Sequence, residues 1–152
     1  MSLQPGDFLG PYRIQALLAV GGMGEVYRAR DTRLGRDAAL KVIAPKLLAD
    51  PSIRRRFEIE ARAASVLNHP AIVTIYDVGD TGDVSWIAME WVEGRTLRQT
   101  LAEGPLPLAE ALSISRELAD GLAAAHDKGV VHRDLKPDNI MLRADGKRKT
   151  KA

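Results

Sequence analysis

Val130-Val131-His132-Arg133-Asp134-Leu135-Lys136-Pro137-Asp138-Asn139-Ile140-Met141-Leu142 sets a polar loop between two apolar anchors. Val130 and Val131 lead in, Ile140 to Leu142 lead out, and His132, Arg133, Asp134, Lys136, Asp138 and Asn139 lie between them. Anchored at both ends, such a loop is held in place while its side chains stay free to act. The chain upstream reads as preparation for it.

Working back from that loop, residues 107–127 read as a long helix that Gly129 stops. Its apolar residues, Leu108, Leu112, Ile114, Leu118, Leu122 and Ala125, do not keep to one stripe, so the helix needs neighbours on several sides. His126 at its end reads as packing or capping. Residues 96–102 read as a short helix ended by Gly104-Pro105. At the other end of the chain, residues 12–20 and 25–30 read as strands broken by Gly21, Gly22 and Gly24. Glycines in such a hairpin let the backbone approach a phosphate closely. Residues 38–43 read as a buried strand holding one lysine, Lys41, and a buried ammonium requires a partner. Asp50-Pro51 is a helix-start signal. On the helix that follows, Ile53, Phe57, Ala64 and Leu67 make an apolar stripe with Glu60 in its middle, while Glu58 and Arg62 face away. Asn68-His69-Pro70 closes that helix. Residues 71–78 and 84–91 read as two further strands joined by the polar turn 79–83.

The loop 132–139 matches the catalytic-loop pattern H-R-D-L-x-x-x-N of protein kinases at every defined position, and the chain resembles that family. Gly-Gly-Met-Gly-Glu-Val-Tyr, residues 21–27, is similar to the eukaryotic-like serine/threonine kinases of bacteria. The resemblance implies an α+β fold: a five-stranded antiparallel small lobe with one main helix, residues 10–93 ending in a hinge, then the helical start of a large lobe over 94–152. It implies a Mg2+- and ATP-dependent phosphotransferase acting on Ser/Thr hydroxyls of protein substrates. Asp134 would accept the hydroxyl proton, Lys136 would neutralise the transferred phosphoryl group, and Asn139 would hold Mg2+. Lys41 would reach the α/β-phosphates and pair with Glu60. Gly21, Gly22 and Gly24 would cover the phosphates, with Ala19 where the first glycine of the pattern is usual. Val26, Ala39, Met89 and Met141 would line adenine, and the backbone of Glu90 and Val92 would bond its edge. Lys136-Pro137 resembles serine/threonine rather than tyrosine kinases. His132 would lock the loop through backbone contacts, and Arg133 would pair with a phosphorylated residue.

That resemblance is expected to cover residues 10–143 and then stop, because Arg143 to Ala152 holds no Asp-Phe-Gly segment. The expectation is a truncated gene or a fragment with negligible phosphotransfer of its own. The alternative is a non-catalytic, pseudokinase-like nucleotide-binding module that regulates another kinase. Loss of the neighbouring large-lobe helices would leave helix 107–127 with an exposed apolar patch.

Composition agrees with one globular domain: 152 residues, 45% hydrophobic and 28% charged. A net charge of +2 gives no bulk attraction to nucleic acid or membrane. The basic runs 54–56 and 147–151 read as solvated surface. No cysteine excludes disulfides and thiolate metal sites and fits a reducing compartment. The N-terminus lacks the basic start and apolar core of a signal peptide, and no apolar run approaches the ~18 residues needed to span a bilayer. A soluble, cytoplasmic chain is the expectation.

Overall fold

A computed structural model describes residues 2–21, 24–43, 50–81, 84–143 and 148–150. By internal contacts the chain divides into two units, Met1–Ser65 with Ile75–Trp91, and Val66–Thr74 with Val92–Ala152.

In the first unit, six strands form one antiparallel sheet: β1 (Phe8–Leu9), β2 (Tyr12–Gly21), β3 (Gly24–Asp31), β4 (Arg36–Ile43), β5 (Ile75–Thr81) and β6 (Val84–Glu90), in the order β1-β2-β3-β4-β6-β5. Alternation along the strands sends Tyr12, Ile14, Tyr27, Ala29, Leu40 and Ala88 to one face, where they form the core with Trp86. Tyr12 meets the Trp86 ring edge-on, centroids 5.1 Å apart at 70°, a geometry worth ~0.5–1.5 kcal/mol beyond burial. Helix α1 (Pro51–Ser65) packs against β5. Its start is the expected one, with Asp50 Oδ1 accepting from the Ser52 amide at 2.8 Å.

Three sequence expectations change here. The small sheet has six strands rather than five, because the two-residue β1 pairs with the start of β2 and is too short to show an alternation. Residues 71–74 do not begin β5. Their apolar character is real, but the Val73 amide donates to the Thr150 carbonyl and the Thr150 amide to the Ala71 carbonyl, both at 2.8 Å, within the second unit. Leu67 lies beyond the end of α1 and packs with Ile72 and Ala125 instead of extending the α1 stripe. The Ile53, Glu58 and Glu60 side chains lie outside the described residues, whereas Phe57 is half-buried and Ala64 buried.

The β3–β4 pair carries its charge on Asp37, which accepts from Arg28 Nη2 at 2.6 Å and Arg30 Nη1 at 2.9 Å. Those hydrogen bonds, Arg28 first, hold the Asp37 carboxyl below its ordinary value. A carboxyl depressed by folding stabilises the fold above its unfolded pKa of about 3.9, and the contribution fades as pH falls through the folded value. Thermal melts are therefore expected to show wild type losing its advantage over Asp37→Asn between about pH 5 and pH 3. A constant gap across that range contradicts it.

The second unit comprises β7 (Gly94–Thr96), α2 (Leu97–Leu101), α3 (Leu108–Asp127), a 3-10 turn (Pro137–Asn139), β8 (Ile140–Arg143) and β9 (Arg148–Thr150). The three strands form a sheet in the order β7-β8-β9. Helix α2 starts one residue later than expected because Thr96 caps it: its hydroxyl accepts from the Gln99 amide at 3.1 Å while Gln99 Oε1 accepts from the Thr96 amide at 2.9 Å. Helix α3 buries Ile114, Leu118, Gly121 and Ala125. Leu108 and Leu112 on the same helix are 75% and 61% exposed.

Candidate active site

Strand register in the first unit decides which side chains share a face. Ala19 pairs with Val26, Val26 with Lys41, Lys41 with Ile87 and Ala39 with Met89. Directly paired residues of an antiparallel sheet point the same way, and residues two apart on a strand do too. Ala19, Val26, Ala39, Lys41 and Met89 therefore lie on one face, opposite the core that holds Tyr27 and Leu40. Ala39 and Met89 are buried and Lys41 is half-buried. Gly21 and Gly24 pair across the mouth of the β2–β3 hairpin; Gly22 lies outside the described residues. Glu60 sits in α1, and with its side chain outside the described residues the Lys41–Glu60 pair stays an expectation. Glu90 ends β6, opposite Ala38.

The hairpin has a second anchor that the sequence reading missed. Tyr27 is fully buried; its hydroxyl donates to Glu25 Oε2 and accepts from the Leu3 amide at 2.9 Å. Ser2 Oγ donates to Glu25 Oε1 at 2.6 Å. Hydrogen bonds from Ser2 and then Tyr27 hold the Glu25 carboxyl below its ordinary value. Also missed were Leu17, Leu18 and Val20, exposed at 48%, 43% and 69% along the glycine hairpin. The available signal was the apolar run 16–20, too continuous for a strand with one wet face.

In the second unit the residues of the loop 132–139 form one hydrogen-bonded group. Lys136 Nζ lies 3.0 Å from Asp134 Oδ2. Asn139 Nδ2 donates to the same oxygen at 3.1 Å and to the Asp134 carbonyl at 2.8 Å. The hydrogen bond from Lys136, then that from Asn139, hold the Asp134 carboxyl below its ordinary value against some desolvation. Asp134 is thus an exposed, ionised acceptor. Its amide donates to the His132 carbonyl at 2.8 Å and lies 3.3 Å from His132 Nδ1, while His132 Nε2 hydrogen-bonds with Thr150 Oγ1 at 3.1 Å. His132 accordingly holds the loop, through a side chain of β9 as well as through the backbone. Arg133 carries φ 61°, left-handed for a non-glycine residue, and strain of that kind persists only where the surroundings fix it. After the loop, Ile140 packs with Ile114 and Leu118 of α3, and Met141 is buried in the β8 ladder. Asp138 turns away toward Arg98 Nη2 at 3.2 Å. Val92 is buried at the start of the unit's second segment.

The model for the protein kinase domain matches residues 12–151. The chain belongs to the protein kinase domain family. Its kinase-domain relatives include the serine/threonine-protein kinase pkn2 of Myxococcus xanthus, 47% identical over 88% of this chain and 16% of that protein. PknL of Mycobacterium tuberculosis is 46% identical over 89% of the chain and 34% of that protein. The crystal structure of the M. tuberculosis PknI kinase domain superposes with a TM-score of 0.89 at 34% identity, covering 99% of this chain and 62% of that one. The chain thus spans between 16% and 34% of the two curated proteins. The kinase-domain match also corrects the expected end of the resemblance at residue 143. Residues 148–150 pair with β8 as β9, and the buried Thr150 is held there by Ala71 and Val73. A tail of lysine and arginine reads as solvated surface because composition shows neither its pairing with the neighbouring β8 nor the bridge from Thr150 to distant Ile72.

Proposed function

We propose that the chain is the nucleotide-binding and catalytic-loop portion of a serine/threonine protein kinase. In this reading it carries a small lobe over residues 10–93 and the start of a large lobe over 94–152. The reaction moves the ATP γ-phosphate to a Ser/Thr hydroxyl of a protein substrate in the cytoplasm. No helix among the described residues is long and apolar enough to cross a membrane. The reading is carried by one observation: Asp134 is held between Lys136 and Asn139 with an ionised, outward carboxylate. Asp134 orients the substrate hydroxyl and takes its proton, and Lys136 meets the charge of the transferred group. On the sheet, Val26, Ala39 and Met89 supply an apolar surface for adenine, and Lys41 supplies the cation for its phosphates. Asn139 fits Mg2+ in part. Its amide nitrogen is committed to Asp134, which leaves its carbonyl as a hard oxygen ligand, and Mg2+ takes few protein ligands beside phosphates. Bound there, the ion neutralises phosphate charge.

Nucleotide binding is tested by thermal shift. Mg·ATP at about a hundred times its Kd is expected to raise the melting point by roughly 5 °C or more, and Lys41→Met to abolish the shift. An unchanged shift in Lys41→Met removes the nucleotide site from this face. Radiolabel transfer to a serine peptide, by the chain joined to the remaining large lobe of a relative, should fall ~10²–10⁴-fold in Asp134→Asn. Transfer that survives that substitution sinks the role given to Asp134.

A further inference from the structure

Beyond the residues that bear on nucleotide, the same sheet face carries a cluster of arginines with no role in phosphotransfer. Arg28 and Arg30 follow Val26 at two-residue steps along β3, and Arg13 of β2 stands directly opposite Arg30. A cavity of about 660 Å³ opens beside them, lined also by Gly6, Gln15 and Thr32. One carboxylate, Asp37, serves both Arg28 and Arg30, and Arg13 is exposed without an ion pair among the described residues. Three guanidinium groups thus share one counter-charge. Like charges directly across a strand pair destabilise it, so the Arg13–Arg30 pairing costs the sheet stability unless an anion relieves it. The cluster is also built rather than loose. Arg28 lies over the Trp91 ring at 5.2 Å from its centroid, and its Nε is buried with no hydrogen-bond acceptor.

We propose that this pocket binds the dianion of a phosphate monoester. A carboxylate is satisfied by one guanidinium fork, whereas a phosphate ester presents three terminal oxygens and two charges to several forks at once. The site is separate from the glycine turn. Arg28 to Arg30 lie four to six residues along β3 from Gly24, roughly 13–20 Å at strand rise. The cavity volume admits the side chain that bears the phosphate as well as the phosphate itself.

Isothermal titration of the 152-residue chain tests it, with O-phosphoserine, a short phosphoserine peptide and the same peptide carrying glutamate as titrants. Saturable binding of a phosphoester is expected, at least about tenfold tighter than the glutamate peptide. Binding by the phosphopeptide alone assigns a phosphorylated protein segment as the source, and binding by both assigns the phosphoester group itself; each supports the site. Arg13→Gln should weaken binding about tenfold or more, and Arg13→Lys by less, since it keeps the charge and loses the fork. Asp37→Asn should tighten binding, because it removes the competing carboxylate. That gain also guards against losses caused by misfolding, and melting curves of each variant check the rest. Lys41→Met should leave phosphoester affinity unchanged. The proposal is overturned by no saturable heat at about 5 mM phosphoester, by equal affinity for the glutamate peptide, by indifference to Arg13→Gln, or by loss of binding in Lys41→Met.

Discussion

Gly79→Ala is expected to lower the melting point of the chain by roughly 10 °C, a loss of about 3 kcal/mol. Gly79 of β5 stands directly opposite Trp86 of β6, and the indole lies over it. A methyl group there would sit 2.0 Å from Trp86 Cζ2 and 2.4 Å from Cε2. Neither partner can yield easily. The ring is 4% exposed, is held edge-on by Tyr12, and comes within 3.2 Å of a Cβ built at Gly10 on another side. Close-packed interiors transmit such an insertion as strain. The double variant Gly79→Ala with Trp86→Leu gives the decisive measurement. A smaller side chain vacates the contested space, so alanine at 79 should cost far less in that background. Equal penalties in both backgrounds would show that the clash is not the cause.

Asp31→Leu should destabilise the sheet by about 2–4 kcal/mol, chiefly because two turn amides lose their buried acceptor. Asp31 is fully buried at the end of β3. Its Oδ1 accepts from the amides of Arg33 at 2.9 Å and Leu34 at 3.2 Å, which shapes the turn into β4. Arg33 Nε and Arg36 Nε stand 3.7 and 4.0 Å from its carboxylate. Leucine leaves two turn amides unbonded and takes one counter-charge from Arg36 and Arg33, of which Arg33 keeps Asp77 at 3.3 Å. Arg36 lies over the Tyr76 ring, 3.5 Å from the centroid, with its side chain 39% exposed. Asp31→Asn retains the Oδ1 acceptor and should lose clearly less. Chemical denaturation of the two variants checks the order, and an asparagine variant as unstable as the leucine one would place the whole effect on charge.

Ala19, Val26, Ala39, Lys41 and Met89 were singled out by their resemblance to the kinase pattern, and their sharing of one sheet face follows from strand register, which the sequence does not display. The loop at 132–139 was legible because its residues are contiguous. Pairings between distant segments were not. Gly79 beneath Trp86 depends on register across β5 and β6, and residues 71–74 look like any apolar strand start until Thr150 supplies their hydrogen bonds. Asp31 reads as one more polar turn residue, because burial of a carboxylate leaves no trace in local composition. The Thr150 contact to His132 was hidden twice over: it joins residues 18 apart, and it lies in a stretch whose charges suggested surface.

Residues 66–74 leave one folding unit, join the other, and hand the chain back. During synthesis that short segment emerges long before α3 and β9, the elements it finally packs against, and must stay unclaimed until they are translated. No single excision can therefore isolate either unit. A fragment cut at residue 92 would strand Ile72 without Ala125 and Thr150, so partial polypeptides of this fold should reach the ribosome exit as customers for chaperones rather than as finished modules.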